Sequence, residues 1–310
     1  MPGMADGMLR GLDDVDWAGL QHAYGSAGDV PVQIRALLSA EQKVRDRAIW
    51  ELNGNIFHQG TRYEATPHAV PFLLEVLAWP GCECRAELIV LLASIAIGYE
   101  EAWLPEPFPV AELRAKAEGG ARLMAAVPQA RDYGSDDDYG DAVYQHHESL
   151  SEEESESLYA YEGLECYDAV AAGLPQVRAL LADPAPPVRA LAANLLAWFP
   201  EAAEGSVPAL RALTADPDES AAATAIVALG LLGEAPAAGL PSGGSPLVRW
   251  ASAVALAAVH GRDAGPGVAG ELEKWADEIT TATVSTPFLD GDTAAYAGHA
   301  FDQVVLGPPA

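Results

Sequence analysis

The chain has 310 residues, half of them hydrophobic, which is enough to bury a sizeable interior. Seventeen basic residues stand against 45 acidic ones, a formal charge of −28, which repels a phosphate backbone and an anionic membrane surface and argues against direct nucleic-acid or membrane binding. Residues 1–10 lack the basic start of a secretory signal, the longest strongly apolar stretch (88–97) is too short to span a bilayer, and Cys82, Cys84 and Cys166 are too few for a disulfide framework, so a soluble cytoplasmic protein is expected.

In chain order, residues 13–24 read as a helix that caps the N-terminus, with Trp17 and Leu20 turned inward, and 1–28 forms the cap. From 29 to 266 the chain repeats. Pro31, Pro71, Pro175, Pro208 and Pro241 each open the same helix-pair pattern, and the last three stand 33 residues apart. Thirteen residues after Pro31, Pro71 and Pro175 comes a small apolar residue followed by arginine: Val44-Arg45, Cys84-Arg85 and Val188-Arg189. Pro208 keeps the spacing with Ala221-Ala222, and Pro241 reaches Val248-Arg249 in seven, the mark of a shortened first helix.

Apolar residues at helical spacing define the second helix of each pair. They are Val44, Ala48, Ile49 and Leu52; Cys84, Leu88, Leu91, Leu92 and Ile95; Val188, Leu191, Ala192, Leu195 and Leu196; and Val248, Ala251, Ala255, Leu256 and Val259. Asp183 and Asp216 recur before a proline, where a carboxylate caps the next turn. Repeats of this kind bury their apolar faces only against neighbours, so the expected fold is all-α, an α-solenoid of helix-pair repeats.

Pro71 and Pro175 are separated by 104 residues, close to three periods, so one or two degenerate pairs are expected there, and one can be reconstructed. Its first helix is expected at 110–124, weakened by Gly119 and Gly120. Its second starts near Ser155, with Ala160, Leu164, Tyr167 and Ala171 at helical spacing. The stretch between, 127–154, reads as an insertion. At the C-terminus, 267–310 forms a capping segment with helices at 271–279 and 293–306.

The run L-L-x-D-x-x-x-x-V-R-x-x-A-x-x-L-L at 180–196 resembles the short HEAT-like repeat named after phycobilisome lyases, and the likeness extends over about two thirds of the chain. It departs from that pattern at Ala222 and in the unit opened by Pro241. The element His58-Gln59-Gly60-Thr61-Arg62-Tyr63 is similar to one found in uncharacterised bacterial HEAT-repeat proteins, and fourteen arginines to three lysines agree with a GC-rich genome. The resemblance implies HEAT-like helix pairs and places no catalytic residue. It also implies an alternative function, a lyase or chaperone for a tetrapyrrole or similar small ligand.

Four features are candidates for function. The stretch 132–168 holds thirteen acids and no lysine or arginine, interleaved with Tyr133, Tyr139, Tyr144, Tyr159 and Tyr161. It reads either as a solvated, disordered loop or as a surface that captures a basic protein, with Asp136, Asp137, Asp138, Tyr139, Tyr144, Glu152, Glu153 and Glu154 in contact. The second feature is a polar pocket from His58, Gln59, Thr61, Arg62 and Tyr63, weighed against an inter-repeat loop whose polar groups cap neighbouring helices. The third is the row Arg45, Arg85, Arg189 and Arg249, read as a structural ladder that binds carbonyls or carboxylates of adjoining turns, against the alternative of a basic stripe for an anionic ligand, which the surrounding negative field opposes. The fourth, His146-His147 beside Asp141 and Glu148, offers ligand types, but adjacent histidines diverge and no metal is expected. Neither is one at Cys82 and Cys84, whose spacing is too tight.

No catalytic or phosphate-binding motif is present, and no cofactor is expected. The expected function is a non-catalytic scaffold that binds another protein, a basic one, through the acidic insertion and the concave helices.

Overall fold

The protein is described by a computed structural model over residues 7–103, 106–129, 132–133, 135–237, 239–277 and 285–307. It is mostly α-helical, its helices packed in sequence, and divides into two compact units. The first comprises 1–98 and 110–173, the second 99–109 and 174–310. No helix among the described residues is long and apolar enough to cross a membrane.

The first unit opens without the expected capping helix. Two short 3-10 turns, Leu12–Asp14 and Trp17–Gly19, lead into a hairpin, β1 (Gln21–His22) against β2 (Gly25–Ser26). Gly11 takes a left-handed conformation (φ 87°), and a Cβ at Gly19 would lie 2.7 Å from the Asp16 carboxylate, so tight turns replace a regular helix. Trp17 is buried as expected, its indole N–H donating to the Leu12 carbonyl at 2.6 Å.

Helix pairs follow: α1 (Val30–Ala36) with α2 (Gln42–Ile56), then α3 (Ala65–Ala78) with α4 (Arg85–Ile97). Pro31 sits in the first turn of α1, where its missing N–H costs nothing. Pro71 lies inside α3 instead of opening it, as Pro208 does in α11 (Ala203–Leu213). The proline therefore opens the first helix at Pro31 and at Pro175, the second residue of α9 (Leu174–Ala179), and lies within it at Pro71 and Pro208. Leu88, Leu91, Leu92 and Ile95 of α4 are buried as their spacing requires. On α2 the stripe is rotated: Ala48 and Leu52 are buried, but Val44 is exposed and Arg45 points inward. Arg45 turns inward because its guanidinium has partners there, donating to the Ser39 carbonyl at 2.8 Å and pairing with Glu83 at 2.5 Å.

The degenerate pair is present. Its first half is broken into α5 (Val110–Lys116) and α6 (Gly120–Met124) at Gly119, whose φ of 90° ends the first segment. Its second half is α8 (Glu152–Ala171), which buries Ala160, Leu164 and Tyr167 and packs against α3, α4, α5 and α6. Gly120 permits the contact, since a Cβ there would fall 2.4 Å from the Cβ of Tyr161.

The second unit is built on α10 (Pro186–Ala197), α12 (Glu219–Leu231) and α13 (Pro246–His260), which pack side by side in that order. Every residue of α12 from Ala221 to Leu231 is buried, and a Cβ at Gly230 would stand 2.5 Å from the Ala255 backbone. Its first turn is capped by Asp218, which accepts the Ala221 N–H. The first helix of the unit opened by Pro241 is missing altogether: between Leu231 and Pro246 the described residues form no helix, because Pro236, Gly239, Pro241, Gly243 and Gly244 interrupt one another.

At the C-terminus α14 (Pro266–Asp277) and α15 (Thr293–Leu306) pack together, the second with the bounds its sequence predicts; residues 278 and 279 of the other expected helix lie outside the described residues. A chain of aromatic rings fixes this segment: Trp198 on Phe288, Phe288 on Tyr296, Tyr296 on Trp250 and Trp250 on Trp275, with centroids 5.7–6.2 Å apart.

Candidate functional site

The arginine row is structural. Arg45, Arg85 and Arg189 each donate to the carbonyl six residues earlier, Ser39, Trp79 and Asp183, at 2.7–2.9 Å. Arg249 reaches the Pro241 carbonyl, eight residues back, across the lengthened loop. Three of them also engage a carboxylate further along the chain: Arg45 with Glu83, Arg189 with Asp216 and Arg249 with Glu271. Each guanidinium thus satisfies the turn before its helix, and Arg45, Arg189 and Arg249 also tie it to a later element.

Residues 57–62 form a hairpin, β3 (Phe57–His58) against β4 (Thr61–Arg62), turning at Gln59 and Gly60, both left-handed (φ 51° and 86°). Arg62 projects onto the end of α4, where Nε donates to the Ile95 carbonyl at 2.9 Å and Nη2 to the Ala96 carbonyl at 3.1 Å. Burial lowers its pKa. Thr66 serves both neighbours: its hydroxyl donates to the Ile56 carbonyl and accepts the Tyr63 N–H. His58 stacks edge-on against Tyr24, with centroids 5.4 Å apart.

The acidic stretch is not a disordered loop. From Asp136 onward it folds into α7 (Asp136–Ser149) and all of α8 up to Asp168, joined at Leu150. The chain is held there because Leu123, Val127 and Leu158 bury a small apolar cluster against which Met124, Val143 and Leu150 pack. Ser135 caps α7 through the Asp138 N–H, and its hydroxyl donates to the Asp138 carboxylate. Ser151 and Glu154 form a reciprocal capping box on α8. Glu154 is therefore engaged by the helix start, and Glu152 and Glu153 stand in the first turn, where negative charge favours the helix. Tyr144 is exposed. Tyr139 is half-buried, with burial, then nearby Glu64 and Tyr133, pushing its hydroxyl up to about 12. The side chains of Asp136 and Asp137 lie outside the described residues.

A groove in the first unit collects residues from both candidate regions. A cavity of about 320 Å³ is walled by the hairpin (Arg62, Tyr63), the start of α3 (Glu64, His68), α6 (Met124) and α8 (Tyr161, Glu162, Glu165). It shares Pro67, His68, Tyr161 and Glu165 with an adjoining cleft that reaches Arg114 and Asp168. Glu64 accepts the Gln21 N–H at 3.2 Å, and Glu165 accepts the Tyr161 hydroxyl at 2.7 Å. Arg114 holds Asp168 through two hydrogen bonds of 3.1 and 2.8 Å. Glu162 has no hydrogen-bond or ion-pair partner among the described residues. Burial, followed by the charges of Glu64 and Glu165, pushes its carboxyl up to about 7. Burial also raises Glu64.

Of the residues singled out from the sequence, Arg62 and Tyr63 line the groove, whereas His58, Gln59 and Thr61 sit around the hairpin turn outside its lining. Asp138, Tyr144, Glu152, Glu153 and Glu154 are also outside it. Glu64, His68, Glu162 and Glu165 line it instead. Residues 161, 165 and 168 were legible as a flank of the helix that buries 160, 164 and 167, but the opposite wall belongs to α3, which no local pattern connects to it.

No known protein family matches the chain, and no curated protein does. Two crystal structures of engineered proteins from the Northeast Structural Genomics Consortium are similar to it at 19% identity and a TM-score of 0.28. One alignment covers 91% of this chain and 80% of that protein, the other 90% and 98%.

Proposed function

We propose that this chain is a non-catalytic scaffold of HEAT-like helix-pair repeats that binds a basic segment of another protein, with the groove of the first unit receiving a lysine or arginine side chain. The observation that carries the reading is Glu162, a sheltered carboxylate without a partner among the described residues, set between Glu64 and Glu165. A cationic side chain there relieves the mutual repulsion of three acids and finds the rings of Tyr63 and Tyr161 within the same lining. The repeat reading is supported by the recurring arginine-to-carbonyl contact. The acids of α7 and α8, within a net charge of −28, steer a basic partner toward this unit. A tetrapyrrole gains nothing from this lining, because its propionates meet three carboxylates.

The test is fluorescence anisotropy with a labelled Lys/Arg-rich peptide and its Asp/Glu counterpart. Binding of the basic peptide alone is expected, weakening as salt is raised and falling about tenfold in the Glu162→Gln/Glu165→Gln variant. Equal binding of both peptides, or a double variant that binds as well as the parent, overturns the reading.

A further inference from the structure

The loop between α3 and α4 places two thiols together. Cys82 and Cys84 bracket a bend at Glu83, and their sulfurs stand 3.9 Å apart on the same side of the chain. Both are free and buried, at 4% and 5% exposure, while Gly81 and Glu83 beside them are exposed, so the pair lies one layer beneath the surface. Closing a disulfide requires the sulfurs to approach by about 2 Å, a movement within one bend. Cys84 is the residue before α4, a helix of 13 residues, and Arg85 is the first within it.

From this geometry we infer that Cys82 and Cys84 form a redox-active dithiol that closes reversibly to a disulfide by exchange with a small disulfide such as oxidised glutathione. The two thiols are chemically unequal. The Cys84 thiol, the Cys84 backbone N–H and the Arg85 guanidinium favour the thiolate on Cys82 against burial and the charge of Glu87, whereas the neighbouring Cys82 sulfur, burial and Glu87 make Cys84 hold its own proton more tightly. Cys82 is therefore the attacking sulfur. Its thiolate attacks one sulfur of the small disulfide, forming a mixed disulfide and releasing one glutathione thiolate, which takes the Cys84 proton. The Cys84 thiolate then attacks the Cys82 sulfur and expels the second glutathione thiolate, which is protonated from solvent. Counting the proton that Cys82 gives to solvent as it ionises, the protein loses two electrons and two protons, and one oxidised glutathione becomes two reduced molecules. Burial pushes the remaining thiol, Cys166, up to about 12, which leaves it out of the exchange.

The pair also sits at a joint. The Cys84 sulfur lies 4.0 Å from the Leu37 carbonyl just beyond α1, and Glu83 between the two cysteines holds Arg45 of α2. Oxidation therefore acts where the first helix pair meets the second.

The experiment equilibrates the full chain in glutathione buffers running from reduced to oxidised, blocks free thiols, digests with trypsin and reads the peptide 63–85, which contains both cysteines. The expected product is that peptide lighter by two hydrogens, restored on return to reduced buffer, with Cys166 alkylated throughout. Cys84→Ser is expected to stop at the glutathione adduct on Cys82, and Cys82→Ser to react about tenfold more slowly than the parent. Circular dichroism confirms that each variant is folded. A folded parent that keeps both thiols in the most oxidised buffer, while the urea-unfolded chain is oxidised, overturns the inference. So does a disulfide to Cys166 or to a second chain.

Discussion

Arg189 holds Asp216 through two parallel hydrogen bonds, Nε to Oδ2 at 2.8 Å and Nη2 to Oδ1 at 2.7 Å, while its Nη1 donates to the Asp183 carbonyl at 2.9 Å. One side chain thus joins the turn before α10 to the turn before α12, and both charged groups are largely shielded, at 13% and 9% side-chain exposure. The pairing lowers the Asp216 carboxyl below its ordinary value of 3.8. The unfolded chain therefore binds a proton more readily than the folded one, and this stabilisation is complete above 3.8 and disappears as pH falls through the lower folded value.

Asp216→Asn is accordingly expected to cost about 1–3 kcal/mol at neutral pH. Urea titrations across the acid range should show the deficit narrowing once pH falls below 3.8. A deficit that stays constant through acid contradicts the pairing as its source.

Glu162 carries the opposite sign. Its carboxyl titrates at about 7 in the folded protein against 4.5 ordinarily, so the folded state binds the extra proton and stability falls as pH rises between those values. Glu162→Gln should match the parent at about pH 4, below the ordinary carboxyl value of 4.5, and melt at a higher temperature than the parent at pH 8, measured by differential scanning fluorimetry. A variant that melts lower than the parent at pH 8 shows that the carboxylate has a favourable partner in the protein.

Arg62→Lys tests the hairpin's hold on α4. Lysine cannot reproduce two guanidinium donors directed at the Ile95 and Ala96 carbonyls, so a loss of about 1–2 kcal/mol is expected in chemical denaturation. Hydrogen exchange should show faster opening at the end of α4 and little change in α10 or α12.

Gly230→Ala places a methyl group against the Ala255 backbone, which has no rotamer with which to yield. Prising α12 from α13 is expected to cost about 1–3 kcal/mol. The same substitution at Gly233, where no atom lies within 4 Å of an added Cβ, is a control for backbone effects; its φ of 84° predicts strain without a clash.

Sequence determined much of this protein by itself, because helix periodicity, capping residues and turn residues act over a few positions. Leu88, Leu91, Leu92 and Ile95 revealed the face of α4, residues 293–306 revealed α15, and the spacing of Arg45, Arg85 and Arg189 marked three helix starts whose turns they bind. Tertiary structure decided what depends on contacts distant along the chain. Val44 faces outward because the guanidinium of Arg45 finds Ser39 and Glu83 on the inner side, and α7 is held by apolar contacts with Leu123 and Leu158 that its acidic sequence does not announce. The groove arises in the same way: Glu64 and Glu162, nearly a hundred residues apart in sequence, share one lining because α8 packs on α3. A carboxyl is displaced from its ordinary pKa by burial and neighbouring charge, and both exist only once the helices have met.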